Sequence, residues 1–395
     1  MDTGITFAKG FTAAGVACGI KKKGGADLAV VLCERTAAAA GMFTRNIVKG
    51  HSLLLARENV RNGVARAVII NAGNANACMG ERGESDALRM AELTAEKLGC
   101  KPRDVLTGST GVIGVPLPVN RIEKALANIQ LSKEGGDDAA RAIMTTDTYA
   151  KQAAESVFIG GREVRVGGMA KGSGMIHPNM ATLIVVITTD ADIRRKALKS
   201  ALKTAVDCSF NRITVDGDMS VCDQVLIMAS GLAENTPIVY KTRNFKLFAN
   251  ALKKVCVKLA KMLAADGEGA TKLVTINVKN ARTGKDAQKI AGAIANSPLC
   301  KTAAFGNDAN WGRLLSAAGR SGAKFNPSSV DIFIGSVQVC KNGGGLLFDE
   351  KEALRELKQK EVVYTIDLND GKKSQTMWTC DFSTDYVRIN ADYRT

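Results

Sequence analysis

Lys171-Gly172-Ser173-Gly174-Met175-Ile176-His177-Pro178-Asn179-Met180-Ala181-Thr182 runs straight into Leu183-Ile184-Val185-Val186-Ile187. A glycine-rich, proline-interrupted loop meets an uninterrupted apolar run, the signature of a strand buried on both faces. The junction residue is Thr182. A chain broken between Ala181 and Thr182 would give that threonine a free α-amine beside its own hydroxyl. Such an amine, with an ordinary pKa of about 7.7–8.0, is a general base at neutral pH, and the hydroxyl becomes an activated nucleophile. The same residues also read as an ordinary loop entering a core strand, since threonine favours strand edges. On the local pattern alone the ordinary reading is the favoured one.

Outward from this junction, strands and helices alternate. Residues 28–32 and 67–70 are strand-like, and 85–98 has helical apolar spacing with Ser85 as N-cap and Gly99 as stop. Residues 160–167 read as a strand after a Gly-Gly turn, and 191–206 as a basic amphipathic helix. Phe245, Phe248, Leu252, Val255, Leu259, Met262 and Leu263 recur at steps of three and four, which predicts a long helix ending at Asp266-Gly267. Residues 273–278 return to strand alternation. Beyond about 281 a helix over 287–295, strands over 330–339 and 362–368 and a charged helix over 350–359 form a second unit. The expected division is therefore 1–280, a catalytic α/β core, and 281–395, a C-terminal α/β domain. Neither G-x-G-x-x-G nor G-x-x-x-x-G-K-[ST] occurs, which counts against a plain dinucleotide or P-loop fold.

The composition suits a globular protein with a sizeable core: 46% hydrophobic and 24% charged among 395 residues. No apolar run approaches the roughly 20 residues that span a bilayer, so no membrane partner is expected. The first residues lack the pattern of a signal or transit peptide, so the expected location is cytoplasmic. Ten cysteines lack any C-x-x-C pair and only two histidines occur, His51 and His177. The cysteines read as small core residues in a reducing compartment, and neither a metal site nor a cofactor is expected. Asp216-Gly217-Asp218 has too few further ligands for a calcium loop and reads as a tight acidic turn. The formal charge of +15 could suit nucleic acid, but aromatics make up only 5% and are not interleaved with the basic clusters. A solvated basic surface that steers anionic small molecules is the better reading, and no nucleic-acid partner is expected.

The string KGSGMIHPNMAT resembles the cleavage-site signature of the ornithine acetyltransferase (glutamate N-acetyltransferase) family of arginine biosynthesis. Further motifs match that family in order: residues 71–78 (NAGNANAC), 109–114 (STGVIG), 145–148 (TTDT), 266–272 (DGEGATK), 305–313 (FGNDANWGR) and 390–393 (NADY). The chain departs from the family's pattern at Ala150, at 219–223 and at 48–51, none of them in the expected site. The resemblance implies an α/β fold, a layered α/β sandwich resembling N-terminal-nucleophile hydrolases. It implies an α chain of 1–181 and a β chain of 182–395 that stay associated as a heterotetramer of two of each. Thr182 would be the nucleophile, with Thr110, through its hydroxyl, and Gly111, through its backbone N–H, forming the oxyanion hole. Thr145, Lys171, Thr182, Glu268, Asn390 and Thr395 would bind substrate.

These residue types suit the chemistry. Lys171 offers a charge to substrate carboxylates, Glu268 one to the amine of ornithine, and Thr145 and Asn390 neutral hydrogen bonds. The amine of Thr182 already fills the base role, so His177 is expected to position its loop. The implied reaction carries an acetyl group from N2-acetylornithine to glutamate through an acetyl-Thr182 intermediate. A broader version also takes the acetyl group from acetyl-CoA; both kinds share the motifs, so that choice stays open. The competing enzymatic reading is an aminopeptidase-like hydrolase on the same fold, in which water resolves the acyl-enzyme.

Overall fold

The computed structural model describes residues 4–177 and 183–392. The chain forms two compact units: Met1–Asn211 with Asp218–Leu263, and Arg212–Gly217 with Ala264–Thr395. Both are α/β, as expected.

The first unit is built on an eight-stranded mixed sheet. Its strands are β1 (Phe11–Val16), β2 (Leu28–Phe43), β3 (Val64–Asn74), β4 (Val105–Val112), β5 (Lys151–Ile159), β6 (Arg162–Lys171), β7 (Ile184–Thr189) and β8 (Gln224–Ala229). The order is β4-β3-β2-β8-β7-β6-β5, with β1 paired to β2. The pairs β3–β4 and β7–β8 are parallel and the rest antiparallel. Every residue of β7 and of β8 is buried, as a continuous apolar run requires of central strands. The unit's helices are α1 (His51–Asn59), α2 (Gly80–Leu98), α3 (Val119–Asn128), α4 (Gly136–Ala142), α5 (Arg195–Asp207) and α6 (Arg243–Ala265). Alternate β2 side chains serve opposite faces. Leu28 and Val30 pack with Met90, Ile122 and Leu126 of α2 and α3, and Ala29 and Val31 with Ala139 and Ala140 of α4. Phe248, Leu252, Val255, Leu259 and Leu263 of α6 are buried along one face, in the predicted spacing.

Two boundaries differ from expectation. Helix α2 begins at Gly80, so Ser85 lies inside it, whereas Gly99 is the left-handed C-cap at φ 64°. Helix α5 begins at Arg195 because the residues before it run extended, with Ile193 bridged in parallel to Ile238, and are braced by Asn235, whose side chain accepts from Asp192 N at 2.9 Å.

In the second unit the strands are β9 (Leu273–Ala281), β10 (Asp331–Ile334), β11 (Val337–Lys341), β12 (Gly344–Gly345), β13 (Glu361–Asp367) and β14 (Lys373–Cys380). The sheet order is β12-β11-β10-β13-β9-β14. Helices α7 (Gly284–Ala295), α8 (Pro298–Gly306), α9 (Trp311–Gly319), α10 (Glu350–Leu357) and α11 (Thr384–Ala391) complete it. Ile290 and Ile294 of α7 and Leu314 of α9 pack with Ile276, Ile332 and Tyr364 of the sheet. The expected cut at 280/281 falls elsewhere: β9, assigned to the first unit, lies inside this sheet between β13 and β14. Residues 330–339 are a hairpin rather than one strand, turning at Gly335 with φ 57°.

Among the described residues no helix is long and apolar enough to cross a membrane, and no group of three or more His, Cys, Asp or Glu could hold a metal ion. Six cysteines are buried, but Cys78 is exposed rather than a core residue. At the acidic turn, Gly217 has φ 85°.

Candidate active site

The parallel ends of β3 and β4 carry Thr110 and Gly111, the expected oxyanion donors. Gly73 pairs with Gly111, and a register shift follows at Asn74. Gly111 has φ 132°, and a Cβ there would lie 2.3 Å from the Gly73 carbonyl carbon, so only glycine fits between these strands. Beneath it lies a buried polar network: Ser109 Oγ donates to Asn71 Oδ1 at 2.6 Å and sits 2.7 Å from Ser52 Oγ. Asn71 Nδ2 in turn donates to Asn74 O at 2.9 Å. Satisfied networks of this kind hold a strand end rigidly.

Thr110 and Lys171, 61 residues apart, meet in the interior. Lys171 Nζ donates to Thr110 Oγ1 at 3.2 Å, with the residues 2% and 4% exposed. Asp147 anchors the surroundings. Its Oδ1 accepts from Gly172 N at 2.7 Å and from Lys151 Nζ at 2.6 Å, and its Oδ2 from Thr145 N at 3.0 Å. Burial alone would raise the Asp147 carboxyl, but Lys171, Lys151 and these hydrogen bonds overcome it and hold it at about 2. Burial pushes Lys171 down from its ordinary value, opposed by Asp147. Thr110, Gly111, Thr145 and Lys171 thus belong to one connected arrangement.

Strand β7 is fixed from its first residues. Ile184 pairs with Lys171 on one side and Gln224 on the other. Leu183 N donates to Asp223 Oδ1 at 3.0 Å, and Leu183 O accepts from Gln224 N at 3.0 Å. Asp223 is fully buried, and desolvation pushes its carboxyl well above the ordinary carboxylate range. Ala181 and Thr182, the expected cleavage site and nucleophile, lie outside the described residues, as does Thr395. Among the described residues His177 Nδ1 is buried without a hydrogen-bond partner.

In the second unit Glu268 and Asn390, 122 residues apart, are brought together. Asn390 Nδ2 donates to Glu268 Oε2 at 2.8 Å, and Glu268 is 6% exposed. The loop carrying Glu268 is tied to the segment before α11. Ser383 Oγ donates to Gly269 O at 2.6 Å, and Asp381 Oδ1 accepts from Thr271 N and Lys272 N at 2.8 and 3.0 Å. A Cβ at Gly269, which has φ 70°, would meet Tyr386 N at 2.5 Å, so the glycine lets α11 approach.

Sequence reading assigned no role to Asp147, Lys151 or Asp223. The first two are an i, i+4 acid–base pair, a signal usually found on solvated helices; here the side chains are completely buried. Asp223 carried no signal, because its partner is a backbone N–H.

A model of the ArgJ family matches residues 12–395. The chain belongs to the ArgJ family. The arginine biosynthesis bifunctional protein ArgJ of Symbiobacterium thermophilum is 51% identical over 396 residues, 99% of this chain and 98% of that protein. The protein of the same name from Caldanaerobacter subterraneus subsp. tengcongensis is 49% identical over 401 residues, 100% and 99%. Among solved structures, the arginine biosynthesis bifunctional protein ArgJ of Bacillus halodurans is 43% identical with a TM-score of 0.50, over 52% of this chain and 96% of that one.

Proposed function

We propose that this member of the ArgJ family is an autoprocessed acetyltransferase of arginine biosynthesis, moving an acetyl group from N2-acetylornithine to glutamate. The observation that carries the reading is the buried contact of Lys171 with Thr110, next to Gly111 and tied by β6–β7 pairing to the strand that follows Thr182. Cleavage before Thr182 frees its α-amine. That amine takes the proton from the Thr182 hydroxyl as its oxygen attacks the acetyl carbonyl. The developing oxyanion accepts from the Thr110 hydroxyl and the Gly111 N–H, each such donor contributing about 10²–10³ in rate. Ornithine leaves with the proton held by the amine. The glutamate amine then attacks the acetyl ester, releasing N-acetylglutamate and restoring the hydroxyl.

Glu268 acts on the amine of ornithine and Lys171 on the carboxylates, while Thr145, Asn390 and Thr395 contribute neutral hydrogen bonds to the substrate. The name bifunctional borne by the relatives favours the broader version, in which acetyl-CoA is a second donor. The mature protein is a cytoplasmic assembly of two α and two β chains.

The test is an acetyl-transfer assay on purified protein. N-acetylornithine with glutamate should release ornithine and form N-acetylglutamate, and acetyl-CoA with glutamate should also form N-acetylglutamate. Equal ornithine release without glutamate would assign the chain to hydrolysis instead.

A further inference from the structure

We propose that Asp147 is a positioning residue of this site, holding Lys171 charged so that the Thr110 hydroxyl proton faces the developing oxyanion. The inference rests on the oxyanion role proposed for Thr110. A hydroxyl has one proton and two acceptor lone pairs, and an ammonium can only donate. With Lys171 Nζ donating to Thr110 Oγ1 at 3.2 Å, one lone pair is occupied and the O–H is turned away from Lys171. A neutral Lys171 amine would accept instead. It would draw the Thr110 proton toward itself and strip the hole of a donor.

The charge on Lys171 therefore decides whether Thr110 can work, and its surroundings oppose that charge. Lys171 is 2% exposed, and burial disfavours the ammonium. Lys151 on β5 pushes in the same direction, and Lys21, before β2, is a further like charge coupled to it. Asp147 leads the opposition, ahead of Cys222 and Asp223 before β8. Geometry fixes its place: Asp147 Oδ1 accepts from the N–H of Gly172, the residue following Lys171, at 2.7 Å and from Lys151 at 2.6 Å. Asp147 thus acts through Lys171.

The test is the pH dependence of kcat in variants shown to be cleaved. Asp147→Asn keeps size and an acceptor for Gly172 N–H but removes the countercharge. Its alkaline limb should move to lower pH by about one unit or more, a tenfold change in proton affinity, with activity recovering toward acid pH. Lys151→Met removes the opposing charge, so its limb should stay or move to higher pH. An unmoved limb in Asp147→Asn, or the same downward shift in both variants, overturns the proposal, because a structural role lowers kcat at all pH values alike. The wild-type protein supplies an independent readout. Lysine side-chain NMR, with the Lys171 signal identified by its loss in Lys171→Met, should show Lys171 protonated at neutral pH. A neutral Lys171 overturns the proposal even if both variants fail to fold. Absence of acetyl transfer by the wild type defeats the functional reading instead, and the NMR result still decides the charge.

Discussion

Gly111→Ala is the substitution whose effect the geometry fixes most tightly. The added Cβ would stand 2.3 Å from the Gly73 carbonyl carbon, 2.6 Å from Asn74 N and 2.7 Å from Gly73 Cα. All three are backbone atoms of β3, so no side chain can rotate away. Ordinary contact needs β3 and β4 to separate by about 1 Å at their ends, and a misplacement of that size costs about 10² in rate. The φ of 132° adds backbone strain of about 1–3 kcal/mol for a residue with a side chain. Gly114→Ala is the matched control: it also has a positive φ, 76°, but no heavy atom within 4 Å of the added Cβ. Purified, cleaved proteins should be compared by kcat for acetyl transfer and by thermal melting. Gly111→Ala should lose about 10² or more in kcat and melt several degrees lower. Gly114→Ala should lose a little stability and keep its kcat. Wild-type kcat in Gly111→Ala would show that the strand ends do not form the oxyanion hole.

Glu268→Gln keeps an acceptor for Asn390 Nδ2 and removes the charge. It should raise KM for N-acetylornithine with no change in melting temperature; unchanged kinetics would remove Glu268 from the site. Asp223→Ala removes the acceptor for Leu183 N and should slow chain cleavage, whereas Asp223→Asn, keeping an oxygen, should retain most of it; band intensities on denaturing gels during expression decide this. The Asp147 carboxyl drops in the folded state from 3.8 to about 2, burial being outweighed by Lys171 and Lys151. The sign is that of a depressed acid: about 2 kcal/mol of stability is present above about pH 4 and lost as pH falls to about 2. Urea unfolding of wild type and Asp147→Asn should therefore converge across that window, and a constant gap would exclude the linkage.

What the sequence made legible follows from periodicity and from punctuation. The buried β7 run, the α6 face from Phe248 to Leu263 and the Gly99 stop appear where apolar spacing and glycine place them. The first turn of α2 escaped, because residues 80–84 are glycine and charge with no apolar stripe to mark them. The β10–β11 hairpin escaped because a single Gly-Ser pair makes the turn inside one apolar stretch. Strand β9 was assigned to the wrong side of the division because its partners, β13 and β14, lie some 90 residues further on. In the site, Thr110, Gly111, Thr145, Lys171, Glu268 and Asn390 came from ordered motifs. Asp147, although inside the 145–148 motif, was given no role, and neither were Lys151 and Asp223, since their roles arise from burial and from partners that no local pattern records.

The central claim is that the acetyl group passes through Thr182 of a cleaved chain. Intact-mass measurement of the purified protein under denaturing conditions, before and after N-acetylornithine without glutamate, tests it directly. Two fragments are predicted, residues 1–181 and 182–395, the second beginning Thr-Leu-Ile-Val. With the donor present the second fragment alone should gain one acetyl group, which glutamate then removes. Thr182→Ala should stay a single, unacetylated chain. An uncleaved wild-type chain with full activity, or acetyl on the first fragment, would contradict the account.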